Sequence, residues 1–267
     1  TTPLFTDYSY KLRSMALPEG TQMSYTGEGL FNFPNNTIFT KTFYYYNDER
    51  NPSLGKKIIE TRVLIKQNGE WKMGNYLWNN EQTDALLDET NYNHYLNITW
   101  VQMDGSSRTI EYEVPNMVNC NQCHDIGSIT PIGPKARALN FVSNGKNQLQ
   151  RFIDKGWLTG APSVSQIPVL PDWDDVSYSL EERARAYMDI NCAHCHQPNG
   201  LHSSNPPGRP DLRYEVPFSD SNIYGQRTEI IDRMKSSFPN YGMPYVGTTI
   251  FHDEGIQLIQ DYIDTLD

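Results

Sequence analysis

Cys192-Ala193-His194-Cys195-His196 is the stretch on which the rest of the chain depends. Two thiols three positions apart, followed at once by an imidazole, form the signature of covalent haem attachment. Each thiol adds to a haem vinyl group as a thioether, and the adjacent His then lies beneath the iron as an axial ligand. The same arrangement occurs earlier as Cys120-Asn121-Gln122-Cys123-His124. Together the two motifs use all 4 cysteines of the 267-residue chain, so none remains for a disulfide. The expected cofactors are therefore two covalently bound c-type haems, attached at Cys120, Cys123, Cys192 and Cys195, with His124 and His196 on the metals.

Two blander explanations compete. Two Cys-x-x-Cys pairs can hold one zinc ion tetrahedrally. The pairs here are separated far beyond the roughly 15–20 residues usual for such ribbons. A zinc site also gives no reason for a His after each second Cys in a chain with only 6 His. Redox-active dithiols are the other alternative, but the βαβ context of thioredoxin-like motifs is missing.

Working outward, Ser179 with Glu182 three residues on forms a capping box, which starts a helix. Leu180, Ala184, Tyr187 and Met188 keep the helical period up to the second motif. A Pro/Gly/Ser loop spans 198–217, a helix is predicted over 229–235, and Phe238-Pro239-Asn240-Tyr241-Gly242-Met243-Pro244 reads as a loop. His252-Asp253-Glu254 opens a last amphipathic helix through Ile256, Leu258, Ile259, Tyr262 and Ile263. Upstream, residues 160–173 are rich in Pro and Ser and mark the expected domain boundary. Residues 1–172 form one expected domain and 173–267 the other.

The first of these is expected to be β-rich. Thr37-Ile38-Phe39-Thr40-Lys41-Thr42-Phe43-Tyr44-Tyr45-Tyr46 has the β-branched and aromatic composition of a pleated surface. Asn68-Gly69 between the runs 58–66 and 71–78 signals a hairpin, because both turn positions need φ > 0. A second hairpin joins 95–101 to 108–114 around Asp104-Gly105, and 81–87 between them suggests a short helix or turn. After Pro115, Asn116 caps a short helix carrying the first motif. A rigid loop follows at 131–137, and 147–157 is helical. The fold class is thus α+β: an antiparallel β-rich part with one haem at its end, then a mainly α part with the second.

Residues 176–267 resemble a class I c-type cytochrome domain: helix, Cys-x-x-Cys-His, loop, helix, Met-Pro loop, terminal helix. The resemblance implies that Met243 is the distal ligand of the second haem, and Pro244 would stiffen its loop. A thioether ligand raises the reduction potential relative to a second imidazole, because soft sulfur favours Fe(II). The whole chain resembles a group of exported bacterial dihaem cytochromes, in which a β-rich part precedes Pro-Asn-x-x-x-Cys-x-x-Cys-His.

The sixth ligand of the first haem stays open. His94, near the second hairpin, is the leading candidate. His202 and His252 follow, then Met103, Met117 and Met188; a vacant position is the remaining alternative. Lys135, Arg137, Arg213 and Arg233 are candidate partners for haem propionates, since guanidinium matches carboxylate in fork geometry. Trp78, Trp100 and Trp157 are candidates to pack on the macrocycles.

Charge and hydropathy narrow the partners. With 22 Lys+Arg against 32 Asp+Glu the net charge is −10, which argues against nucleic acid or an anionic membrane. No apolar run approaches the roughly 20 residues that cross a bilayer. Covalent haem is attached outside the cytoplasm, so a periplasmic or extracellular location is expected, with a targeting segment removed ahead of Thr1. The leading expectation is electron transfer between redox proteins through two haems, extended by self-assembly if haems adjoin between subunits. The alternative is an oxidoreductase whose first haem keeps an open face for peroxide or a nitrogen oxide.

Overall fold

Alternating β-branched and aromatic residues build the first half of the chain as antiparallel sheet. The computed structural model describes residues 3–124, 130–202 and 208–266. The strands are β1 (Tyr10–Ala16), the two-residue β2 (Met23–Ser24), β3 (Ile38–Tyr46), β4 (Lys56–Gln67), β5 (Glu70–Trp78) and β6 (Ala85–Leu87). All but β2 form one sheet in the order β1-β3-β4-β5-β6. The β4–β5 hairpin closes at Asn68 and Gly69 with φ 54° and 86°, as the Asn-Gly pair predicts. Residues 81–87 differ from the expected helix or turn, since Ala85–Leu87 pairs with β5 as an edge strand. Side chains take over the local backbone there: Asn79 Oδ1 accepts from Thr83 N at 3.0 Å, and Gln82 bonds both backbone groups of Ile58. Such bonds compete with a helical ladder.

β7 (His94–Val101) and β8 (Ser107–Val114) form the second hairpin. It packs on the sheet through Ile98, Trp100, Ile110, Tyr112 and Val114 against Tyr45 and Ile59. Trp100 is spent in this core. Trp78 donates its indole N–H to Thr61, and Trp157 leans on Phe152, so the three indoles have local roles.

The short elements that follow are α1 (Met117–His124), α2 (Ala136–Leu139), β9 (Val142–Ser143), β10 (Lys146–Asn147), α3 (Gln148–Asp154) and β11 (Leu158–Thr159). β11 returns to pair in parallel with β2, closing a second core of Met23, Phe31, Phe33, Leu149, Phe152 and Ile167. The Pro/Ser-rich run 160–173 is not a loose linker. Its carbonyls at Val164 and Ile167 accept from Asn140, Leu170 N donates to the Arg137 carbonyl, and Ile167 and Leu170 are buried. It forms a strap with one short 3-10 turn at Val164–Gln166.

The last part holds α4 (Leu180–Asn191), α5 (Phe218–Ser221), α6 (Ile223–Met234) and α7 (Asp253–Asp264). α6 begins six residues earlier than the expected start at 229. Ala184, Tyr187 and Met188 of α4 meet Ile231 of α6 and Leu258, Ile259 and Tyr262 of α7 in a third core. The first residues of the chain also belong here. Phe5 N donates to Asn191 Oδ1 at 2.7 Å, and the Asp7 carboxylate accepts from Thr249 N and Ile250 N. Among the described residues, no helix is long and apolar enough to cross a membrane.

Candidate cofactor-binding site

α4 delivers the second motif. Both bonds of the Ser179–Glu182 capping box start it. It ends at Cys192, where the Cys192 and Ala193 amides both donate to the Met188 carbonyl. The chain then curls tightly: Cys195 N and His196 N donate back to Cys192 O at 3.1 and 3.0 Å. His202 N bonds Cys195 O, and Leu212 N bonds His196 O. Gly200 is required by this fold-back, because a Cβ there would run into the Cys195 carbonyl.

The motif borders a cavity of about 500 Å³ lined by Cys192, Cys195, His196, His202, Arg233 and Met243, among others. That volume lies in the range of about 300–1,000 Å³ typical of cofactor pockets. Met243 is held at its place by its amide, which donates to the Arg233 carbonyl at 2.9 Å. Burial pushes the His196 pKa down to about 4, so its ring is neutral and carries a free lone pair at ordinary pH. His196 Nδ1 faces the Pro210 carbonyl without reaching normal hydrogen-bond geometry.

The first motif rides on α1, which Asn116 caps by accepting from Asn119 N at 3.0 Å. Cys120 is buried, and burial pushes its thiol up to about 11. His124 Nδ1 lies 2.7 Å from the Thr130 carbonyl. A carbonyl only accepts, so Nδ1 carries the proton and Nε2 is left as the ligating nitrogen. Burial brings this ring, too, down to about 4.

The two motifs meet. Ligating atoms of Cys123, His194 and Cys195 all lie within 4.8 Å of one another, and the Cys195 thiol also approaches the Gln122 carbonyl at 3.8 Å. A hydrogen bond from Cys195, with His194 in contact, holds the Cys123 thiol well below its ordinary value; the same bond pushes Cys195 up. His194 sits inside its own motif and turns across to the other one. Nothing in the local spacing announces that contact.

The donor set fits iron porphyrin at the second motif, where both thiols, a neutral imidazole and a thioether line one cavity. Three of the buried polar atoms without partners among the described residues lie at the same place: His194 Nδ1, His196 Nδ1 and His202 Nε2. His202 stacks on His196 with centroids 5.4 Å apart, so it belongs to the cavity rather than to an exposed loop. His94 opens β7, and its Nε2 lies 3.1 Å from both Asp88 Oδ2 and Thr90 Oγ1. Iron could take that nitrogen only by breaking these bonds. His252 precedes α7, bonded to the Tyr187 hydroxyl at 2.9 Å and stacked on Phe5 at 4.1 Å. Met103 is exposed in the second hairpin, Met117 lies on α1 itself, and Met188 lines the cavity of the other motif.

The anticipated propionate partners divide. Lys135 and Arg137 are bound to the buried Asp189, each at 2.8 Å, and Arg213 is forked to Asp211. Arg233 does line the cavity, paired to Glu229. Arg209 joins it there and was not anticipated, because a lone Arg in a polar loop carries no sequence signal.

Comparisons with protein-family models, with curated proteins and with solved structures give no match for this chain.

Proposed function

We propose that the chain is an exported dihaem c-type cytochrome that passes electrons between redox proteins, with its last third acting as a class I cytochrome-like domain. The observation that carries this reading is the cavity shared by Cys192, Cys195, His196 and Met243. Haem bound there supplies a one-electron Fe(III)/Fe(II) couple. The chain's own residues do the rest. Cys192 and Cys195 anchor, His196 ligates as a neutral ring, and Met243 offers sulfur that favours the reduced state. Met188, Leu212 and Ile230 give the cavity an apolar wall, which would shield a bound haem from water. At the first motif, Cys120 and Cys123 anchor, and the Thr130 carbonyl orients His124. One attachment thiol from each motif lies within 4.8 Å of the other, which favours a relay between two groups fixed at short separation. Donors and acceptors are then other exported redox proteins, in the periplasm or outside the cell, and further copies of this chain where haems adjoin.

A second reading draws on His94. His94 Nε2 is committed to Asp88 and Thr90; if His94 stays so held and does not ligate, a haem at the first motif would be accessible to a small molecule such as peroxide or a nitrogen oxide. Cyanide separates the two readings: a high-spin component that binds it readily favours chemistry, and unchanged low-spin bands for both haems favour the relay. The prior test is the mass of the intact exported protein. Two haem adducts are expected. Fewer than two adducts, with one zinc ion per chain instead, would replace both readings by a soft-metal site at Cys123, His194 and Cys195.

A further inference from the structure

One face of the five-stranded sheet carries cations side by side in register. Arg13 pairs with Lys41, Lys41 with Arg62, and Arg62 with Asn75, so four strands contribute one transverse polar row. Lys11 lies one pair further along, in line with Phe43 and Glu60. Apolar residues flank the row. Met15, Phe39 and Leu64 lie on one side, and Tyr45 and Leu77 on the other.

Like charges opposite one another on neighbouring strands repel, and this row has little to offset them. Glu60 forks onto Arg62 at 3.0 and 2.6 Å and also accepts from the Tyr112 hydroxyl. Lys11 donates to the Ser9 carbonyl, and Asp7 beyond it is engaged by Thr249. Among the described residues, neither Lys41 nor the exposed Arg13 has an ion pair. Lys41 Nζ and the Arg62 guanidinium rest on the Phe43 ring at 4.9 and 4.4 Å. Burial first, then Arg13, Arg62 and Lys11, hold the Lys41 amine well below its ordinary pKa, so an anion beside it would restore its charge.

Asn75 ends the row. It is 3 % exposed, yet neither atom of its amide has a partner among the described residues. An unsatisfied buried group costs about 1–3 kcal/mol, and a missing ligand is a recognised reason for one. The row also lies close to α1. Lys41 and Arg62 both depress the pKa of His124, Arg62 acts on Cys120, and Gln122 Oε1 on the same helix is buried without a partner.

We propose that Lys41, Arg62 and Asn75, with Arg13 at the open edge, form a carboxylate-binding site beneath the first Cys-x-x-Cys-His motif. The two cations supply the charge and the Asn75 amide a directional donor, while the apolar flanks suit a ligand whose body is hydrophobic. Two sources offer that chemistry: a propionate of haem held at Cys120 and Cys123, which rests on the function proposed above, or a small carboxylate from solution, which does not.

The test uses the full exported chain, with intact mass recorded first. Sodium acetate is titrated calorimetrically into wild type, Lys41→Met and Asn75→Leu, and both haem potentials are measured in each. If a propionate fills the site, wild type takes up no acetate. Lys41→Met then lowers the potential of one haem and leaves unchanged the one that responds to Met243→Ala. If the ligand comes from solution, acetate binds one to one, and Lys41→Met weakens it about tenfold, the loss of one charge-assisted contact. Lys41→Arg, which keeps the charge, retains either behaviour and guards against a misfolded Met variant. Absent haem adducts would remove the first source and the proposed function together, yet leave the acetate measurement decisive. The proposal is overturned if wild type takes up no acetate and Lys41→Met leaves both potentials unmoved. A second overturning result is an Asn75→Leu chain that gains thermal stability with acetate binding and potentials unaltered.

Discussion

Asp189→Asn should damage the joint between the regions that carry the two Cys-x-x-Cys-His motifs more than any single loss of apolar contact nearby. The Asp189 side chain is fully buried and accepts from Lys135 Nζ at 2.8 Å, Arg137 Nη2 at 2.8 Å and Tyr214 N at 3.1 Å. Arg137 is equally buried; its remaining partners, Glu215 at 2.5 Å and Glu28 at 3.5 Å, are partly exposed. Removing one member of such a buried pair typically costs about 3–5 kcal/mol, because the other charge stays behind uncompensated. That is a large share of the roughly 5–15 kcal/mol that holds a domain folded. Asn keeps the shape and one acceptor oxygen, so its loss falls at the lower end, and Ala falls at the upper. Urea unfolding of the exported protein, followed by far-ultraviolet circular dichroism, measures the difference. The pH dependence has a definite sign. The Asp189 carboxyl sits below its ordinary value, with burial opposing and Lys135 and Arg137 outweighing it. Its contribution is therefore complete above the unfolded value of about 3.9 and fades as pH falls through the lower folded value. The gap between wild type and variant should stay level from neutral pH down to about pH 5 and narrow in stronger acid. A variant within about 0.5 kcal/mol of wild type at pH 7, the scatter of ordinary surface changes, would refute the reasoning. So would a gap that widens on acidification.

Met243→Ala should lower the midpoint potential of one haem, since thioether sulfur favours Fe(II); an unaltered redox titration removes Met243 as a ligand. Ser179→Ala should cost about 1 kcal/mol in urea unfolding, because the hydroxyl accepts from Glu182 N and the Glu182 carboxylate answers at Ser179 N. An undiminished stability would mean the α4 start is held by packing alone. Gly255→Ala should destabilise by about 1–3 kcal/mol although Ala favours helix. A Cβ there would overlap the Tyr187 hydroxyl and come within 2.7 Å of His252 Nδ1. Thermal unfolding that rises in that variant would show that the Tyr187–His252 contact yields freely.

Legibility followed the range of the interactions. Both hairpins, the Asn116 and Ser179 caps and the terminal helix were readable because each is decided within a few residues by turn chemistry or periodicity. The Asn68-Gly69 turn needs no distant partner to adopt positive φ. The two Cys-x-x-Cys-His motifs stand out in the sequence equally plainly, and the covalent haem expected at them belongs to the proposed function. What failed to show was set across the fold. Residues 160–173 have a linker's composition, but Asn140 and Arg137 capture its backbone. Lys135 and Arg137 looked free for a carboxylate cofactor, yet Asp189 in α4 takes them both. His202 reaches the cavity because Gly200 lets the loop fold back onto Cys195, a close approach that loop composition does not announce. The meeting of Cys123, His194 and Cys195 belongs to the same kind: 71 residues separate the first two in the chain, and only packing brings them together.

Charge makes the same point about the sheet. The chain has 10 more acids than bases, so dispersed placement would leave most cations near an acid. Instead Lys11, Arg13, Lys41 and Arg62 share one face with Glu60 as the only acid in their paired rows. Alternation along each strand puts them there deliberately in the physical sense: shifting any strand by one residue would send its cation to the opposite face and break the row. Phe43 softens the repulsion through its ring face, but cation–π contacts are worth about 0.5–2 kcal/mol each and do not cancel charge. A buried amide with no partner stands at the end of that row. Repulsion and an orphaned amide at one place are two independent costs, and a single carboxylate between Lys41, Arg62 and Asn75 relieves both. Apolar residues at those positions would relieve them as well, and would strengthen the sheet, without needing a ligand. That simpler solution is absent, which places the cost with binding rather than with the fold.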